Sequence, residues 1–133
     1  MTRSMLVKDY MSKKPVTLVP GMDLLRAAHI LISNDISGAP VLDEHGKLVG
    51  ILTERDCMRV AMQADYYGVP GGLVSDHMSV NPQSVDPGES ILKLAELFLS
   101  GRFHRYPVLD NGRLVGVISR RDVMRAMGEF YPL

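Results

Sequence analysis

Thr53 and Asp56 stand three residues apart where an apolar run gives way to polar residues, in GILTERD (50–56). Ser119 and Asp122 repeat the pair in VGVISRRD (115–122). A hydroxyl and an acid at this spacing support two kinds of chemistry. At a helix start the hydroxyl accepts a backbone N–H, and the acid sits near the positive end of the helix dipole; such a cap is worth about 1 kcal/mol. Beyond the carboxyl end of a buried strand, the acid accepts hydrogen bonds from two adjacent hydroxyls, as acids do when they hold a ribose. The adjacent helix N-terminus favours a phosphate. One pair can serve both roles. Both copies keep the hydroxyl and the acid while their neighbours change, Glu54 against Arg120 and Cys57 against Val123.

The elements that must position these pairs are themselves written twice. VKDYMSKKP (7–15) returns as VSDHMSVNP (74–82), and KLVGILTERDCMR (47–59) as RLVGVISRRDVMR (113–125). At an offset of 67, residues 7–43 match 74–110 at 14 of 37 positions; after a one-residue deletion, 46–59 match 112–125 at 8 of 14. Each copy reads strand, helix, strand, strand, helix. In the first, Val16–Val19 is a short extended run ended by Pro20-Gly21. Leu24, Ala27, Ala28, Leu31 and Ile32 form the stripe of an amphipathic helix. Pro40–Leu42 and Leu48–Leu52 read as a hairpin, and a second helix runs from Glu54 to about Ala64. The second copy gives Ser84–Asp86, Ile91–Ser100, Pro107–Leu109, Leu114–Ile118 and Arg120–Met127. The fold class expected is α/β, of the α+β type: tandem β-α-β-β-α repeats packed about a pseudo-two-fold axis. Repeat 1 spans 7–64, a linker 65–73 and repeat 2 74–128. A unit of about 60 residues is marginal alone, which favours pairing of the two.

Composition sets bounds. Fifteen basic residues balance fifteen acidic ones, which argues against a general nucleic-acid binder. No apolar stretch approaches the roughly 20 residues needed to span a bilayer. The N-terminus does not read as a signal peptide, and the single cysteine, Cys57, allows no internal disulfide. A cytoplasmic protein without membrane contact is expected. His29, His45, His77 and His104 show no zinc spacing, and no P-loop or G-x-S-x-G elbow is present. No enzyme and no catalytic cofactor are expected. Cys57 reads as a packed apolar residue, since the other copy has Val123.

The doubled pattern D-x-M-S…P…P-G…P-V-x-D…G…L-V-G-h-h-[ST]-x-x-D, with h apolar, resembles the cystathionine β-synthase (CBS) domain from about Val7 to Met127. Two such domains form a Bateman module, and this chain is similar to a stand-alone one. The resemblance implies a regulatory ligand: an adenosine-containing molecule such as AMP, ADP, ATP, NAD or S-adenosylmethionine. It implies that Thr53 and Asp56 contact one ribose, and Ser119 and Asp122 the other. It also implies a homodimer and a protein partner that reads the bound state.

The two copies differ before their shared proline. Asp35-Ile36-Ser37-Gly38-Ala39-Pro40 stands against Arg102-Phe103-His104-Arg105-Tyr106-Pro107. FHRYPV resembles a segment in the regulatory subunit of AMP-activated protein kinase, where such His and Arg residues face nucleotide phosphates from the opposite repeat. The resemblance implies that His104, Arg105 and Arg121 serve the ligand whose ribose sits on Asp56; in that cleft Ile36 and Ala39 are the candidates beside the base, Lys14 and Val16 line the entrance, and Ser37 is a further ligand contact. The cleft of Ser119 and Asp122 would use Phe103 and Tyr106 beside the base, with Arg55 nearby. The Asp56 cleft is therefore expected to be the better phosphate binder. The alternative function is a dimerising interaction scaffold in which Thr53 and Ser119 are simple caps.

Overall fold

The computed structural model describes residues 5–67, 71–101 and 103–131, without the side chains of 64–67. Its elements follow the repeat. Asp23 accepts the Arg26 N–H at 3.2 Å and starts α1 (Leu24–Ser33), which buries Leu24, Ala27 and Leu31. β1 (Gly38–Leu42), β2 (Leu48–Thr53) and α2 (Glu54–Tyr67) follow. A short α3 (Val74–His77) and β3 (Ser79–Val80) precede the second set: α4 (Ile91–Ser100), β4 (Arg105–Asp110), β5 (Arg113–Ser119) and α5 (Arg120–Phe130). Ser90 caps α4 by accepting the N–H groups of Leu92 and Lys93.

β1 and β2 pair antiparallel with Gly38 opposite Thr53; β4 and β5 do the same with Arg105 opposite Ser119. The second hairpin turns through Asn111 and Gly112 at φ 51° and 80°, the left-handed pair that a two-residue hairpin turn requires.

Most elements differ from the sequence expectation by a few residues at their ends, and the larger departures are two. The leading strands shrink to one-residue bridges, Leu18 parallel to Val41 and Val85 parallel to Val108. Pro20 and Pro87 follow closely and stop the run, because proline lacks the N–H needed to extend a ladder. The second helix continues to Tyr67, so residues 65–67 of the expected linker are helical; residues 68–70 lie outside the described residues.

The compact units also divide the chain differently from its repeats. One unit is Val16–Pro82; the other joins the stretch up to Pro15 to Gln83 and beyond. Each repeat lends its opening segment to the other's body. In the first unit, Val74 N–H donates to Met22 O at 2.9 Å, and β3 pairs with Gly50 and Ile51 of β2. In the second, Ser12 and Val117 exchange backbone hydrogen bonds at 2.9 and 3.0 Å. A glycine receives each segment. A Cβ added at Gly50 would lie 2.5 Å from Met78 Sδ, and one at Gly116 2.7 Å from Met11 Sδ. Neither strand could carry a side chain there.

Each unit has its own core. Leu18, Leu24, Ala27, Val41, Leu52 and Val74 fill the first; Val7, Ile91, Leu94, Tyr106, Val108 and Ile118 fill the second.

Candidate functional site

The two hydroxyl–acid pairs form almost identical corners at the strand-to-helix junctions. At the first, Asp56 Oδ2 accepts the Thr53 N–H at 2.8 Å and the Thr53 hydroxyl at 3.0 Å. Asp56 N–H points back to Thr53 Oγ1 at 3.4 Å. At the second, Asp122 Oδ2 accepts from Ser119 N–H at 2.8 Å and from its hydroxyl at 3.1 Å, and Asp122 N–H returns to Ser119 Oγ at 3.3 Å. The capping role is therefore real. It uses one carboxylate oxygen.

The other oxygen, Oδ1, meets an arginine one turn later, Arg59 at the first corner and Arg125 at the second, each at 3.4 Å. Those contacts are stretched beyond the 2.7–2.9 Å of a strong charge-assisted bond. Each carboxylate thus keeps acceptor capacity on Oδ1. Asp56 is 6% exposed and the one charged residue buried among those described; its counterpart is half-buried. Arg59 and Arg125 went unnoticed in the sequence reading. The signal was present, since an arginine stands three residues after the acid in both copies. Arg125 is anchored further by donating to Tyr10 O at 2.8 Å.

The segment before each hairpin is tied to its corner. Glu54 N–H donates to Ser37 O at 2.8 Å, and Arg120 N–H to His104 O at 3.1 Å. Thr53, Asp56, Arg55, Val16, Ile36, Ser37 and Ala39 thus belong to the first unit. Lys14, Phe103, His104, Arg105, Tyr106, Ser119, Arg121 and Asp122 belong to the second. The side chains of Lys14, Arg55, His104 and Arg121 are exposed, and Val16 is half-buried.

Four of the residues expected at the ligand have further structural partners. Ala39 and Tyr106, expected beside a base, are each 1% exposed and belong to the cores. Their side chains are enclosed because β1 and β4 are buried strands. Phe103 packs edge-on to Tyr106 with ring centres 6.0 Å apart. Arg105, expected to serve the Asp56 ligand, lies across the ladder from Ser119. Burial draws its guanidinium pKa down from the ordinary value, and the nearby Asp122 carboxylate opposes that shift.

Ile36 and Ser37 border an open groove of about 670 Å³ on the helical side of the first unit. Leu31, Cys57 and Met58 line it with them, and Asp35 and Glu54 bring acid to it. Burial, then Asp56 and Glu54, push the Cys57 thiol pKa up. Among the described residues, no group of three or more His, Cys, Asp and Glu could hold a metal ion, and no helix is long and apolar enough to cross a membrane.

Known proteins share this arrangement. The CBS domain family matches residues 7–63 and 74–129. The L-aspartate semialdehyde sulfurtransferase of Methanocaldococcus jannaschii is 33% identical over 128 residues, which take in 92% of this chain and 23% of that enzyme. The chain thus spans under a quarter of that relative's length. The structure of CBSX2 in complex with AMP is similar with a TM-score of 0.85 at 25% identity, covering 96% of this chain and 99% of that one. The CBS domain pair of MJ0100, in complex with 5′-methylthioadenosine and S-adenosyl-L-methionine, gives 0.82 at 32% identity, covering 94% and 97%. With two matched copies and twin hydroxyl–acid corners, the chain belongs to the CBS domain family.

Proposed function

We propose that the protein is a regulatory module that binds an adenosine-containing ligand through its Thr53–Asp56 and Ser119–Asp122 corners. One observation carries the reading. In each corner the cap occupies Oδ2, while Oδ1 has only a stretched arginine contact. A carboxylate sheltered from water and with spare acceptor capacity is poised for two vicinal hydroxyls, and a ribose offers those. His104, Arg105, Arg121 and Lys14 are the cations this reading assigns to a phosphate. The adenosyl ligands of CBSX2 and MJ0100 support the ligand class. Signalling to a protein partner requires that the ligand favour one conformation over another.

Calorimetric titration with AMP, ADP, ATP, NAD and S-adenosylmethionine tests this. At least one is expected to release or absorb heat and raise the melting temperature. Silence from all five, with the protein folded, overturns the reading.

A second reading, self-association as a homodimer, is supported by exposed apolar residues on the helices: Leu25, Ile32, Met58 and Met62 on α1 and α2, Leu92, Leu99, Met124 and Met127 on α4 and α5. Surfaces of this kind mark interaction sites when they are contiguous.

A further inference from the structure

The opening segment of the chain is fastened into the second unit at several points. A short 3₁₀ turn, Val7–Asp9, meets the loop before α4: Val7 N–H donates to Glu89 O and Lys8 N–H to Pro87 O, each at 2.9 Å. Ser12 is bonded to Val117 of β5. Between these ties lies Tyr10, 6% exposed, which α5 holds at both polar ends. Its hydroxyl donates to Glu129 Oε2 at 2.6 Å, and its carbonyl accepts from Arg125 Nη2 at 2.8 Å. The same Nη2 stands 3.4 Å from Asp122 Oδ1. One guanidinium nitrogen is thus shared between the segment, at full strength, and the carboxylate, at a stretch.

The first unit lacks this link. Arg59 meets Asp56 Oδ1 at the same 3.4 Å, but among the described residues it makes no bond to the segment that enters there. By the repeat offsets, His77 stands where Tyr10 does and Gln63 where Glu129 does. Gln63 is exposed, and no bond joins it to His77 among the described residues.

We propose that Arg125 is a positioning residue that couples the Asp122 corner to the opening segment, so that a ligand at this corner tightens the hold on residues 7–12. A ligand at the Asp56 corner leaves that segment alone. This rests on the adenosyl-ligand reading and deepens it by naming the element that carries the signal out. Two ribose hydroxyls on Oδ1 satisfy the carboxylate that Arg125 half serves, and the guanidinium then closes wholly on Tyr10 O. Lysine cannot replace it, because a single ammonium lacks the planar fork that faces both oxygens. By linkage, the segment's hold raises ligand affinity by the same factor as the ligand raises the hold.

The test is amide hydrogen exchange on the full chain, with AMP, ADP, ATP, NAD and S-adenosylmethionine each at saturation. The reporters are the amides of Tyr10 and Met11, which donate to Val7 O, and of Ser12, which donates to Val117 O. In wild type at least one compound should slow all three about fivefold or more. In Asp122→Ala, a compound still bound at the first corner should leave them unchanged. Arg125→Ala and Arg125→Lys, with folding checked by thermal melts, should still give heat on titration but lose the slowing; an arginine with a purely structural role would leave it intact. Tyr10→Phe, which removes only the tie to Glu129, should speed exchange at the three amides without ligand. Heat of binding with no slowing in wild type, slowing that survives in both Arg125 variants, or slowing that survives in Asp122→Ala overturns the coupling while the adenosyl-ligand reading stands. If the Arg125 variants fail to fold, wild type against Asp122→Ala decides alone. Neither heat nor slowing with any of the five overturns both.

Discussion

The two hydroxyl–acid corners agree in every cap distance to within 0.1 Å, yet several of the residues around them differ. Opposite Thr53 in the ladder stands Gly38; opposite Ser119 stands Arg105. A Cβ at Gly38 would lie 3.0 Å from Leu52 O, a contact that only a shift of a few tenths of an ångström would relieve. Ile36 against Phe103 and Cys57 against Val123 continue the contrast. Duplication has held the hydroxyl–acid geometry constant and varied what lies around it. Whatever the corners share should come from Oδ1, and whatever distinguishes them from the neighbours.

The largest expected effect breaks the shared part. On the proposed reading, Asp56→Ala and Asp122→Ala each remove an acceptor for two ribose hydroxyls. With charge-assisted bonds contributing about 1.5–3 kcal/mol each, affinity at the altered corner should fall about a hundredfold or more. Loss of the cap should cost only about 1 kcal/mol of stability. Calorimetry paired with thermal melts separates the two. A scaffold with simple caps would show the second effect without the first.

The next effect sharpens the difference. Arg105→Ala should reduce the preference for AMP over adenosine by about tenfold, the value of one charge-assisted contact to phosphate. The corner that loses the preference is the informative part. Family resemblance assigns Arg105 to the ligand on Asp56, whereas its place across from Ser119 favours the ligand on Asp122. Titrating Arg105→Ala in the Asp56→Ala and Asp122→Ala backgrounds decides between them.

These questions arise because some features were legible in the sequence and others were not. Helix α4 begins and ends where its apolar stripe does, at Ile91 and Ser100. The β1–β2 hairpin was marked by its two apolar runs, Pro40–Leu42 and Leu48–Leu52. Both corners were visible because a hydroxyl and an acid recurred while their neighbours drifted. The exchange of opening segments was not visible. Met11 and Met78 read as ordinary apolar residues, and only their seats on Gly116 and Gly50 show what they do. Tyr106 looked like a ligand-side aromatic because composition does not say which face of a strand is enclosed. The allegiance of Arg105 depends on cross-strand register, which periodicity alone does not fix.

A smaller effect belongs to the second unit alone. Tyr106 Oη is buried with no hydrogen-bond partner among the described residues. Burial also raises its pKa. Below the unfolded value of about 10 the hydroxyl is neutral in both states; as pH rises through that value, the unfolded chain ionises first and stability falls. Tyr106→Phe should therefore leave stability unchanged or raise it by about 1 kcal/mol at neutral pH, since a buried unsatisfied group is removed. It should also lose part of the decline above pH about 10. Chemical denaturation at neutral and alkaline pH measures both. A loss of stability at neutral pH would mean that the hydroxyl is satisfied.

The smallest effect tests whether the first unit tolerates the second unit's residue. Cys57→Val installs the side chain found at Val123. Both residues are small and apolar in packing, so the change should stay within about 0.5 kcal/mol. Ligand affinity should not move, because the thiol makes no bond to either corner's carboxylate in the contacts described. The wild-type thiol should also react slowly with alkylating reagents at neutral pH. Burial and the flanking Asp56 and Glu54 carboxylates disfavour its thiolate, and the thiolate is the reactive form. If Cys57 reacts as fast as a free cysteine, or if Cys57→Val weakens ligand binding tenfold, then the two units differ at this position in function as well as in packing, and the residue has to be counted with the first corner.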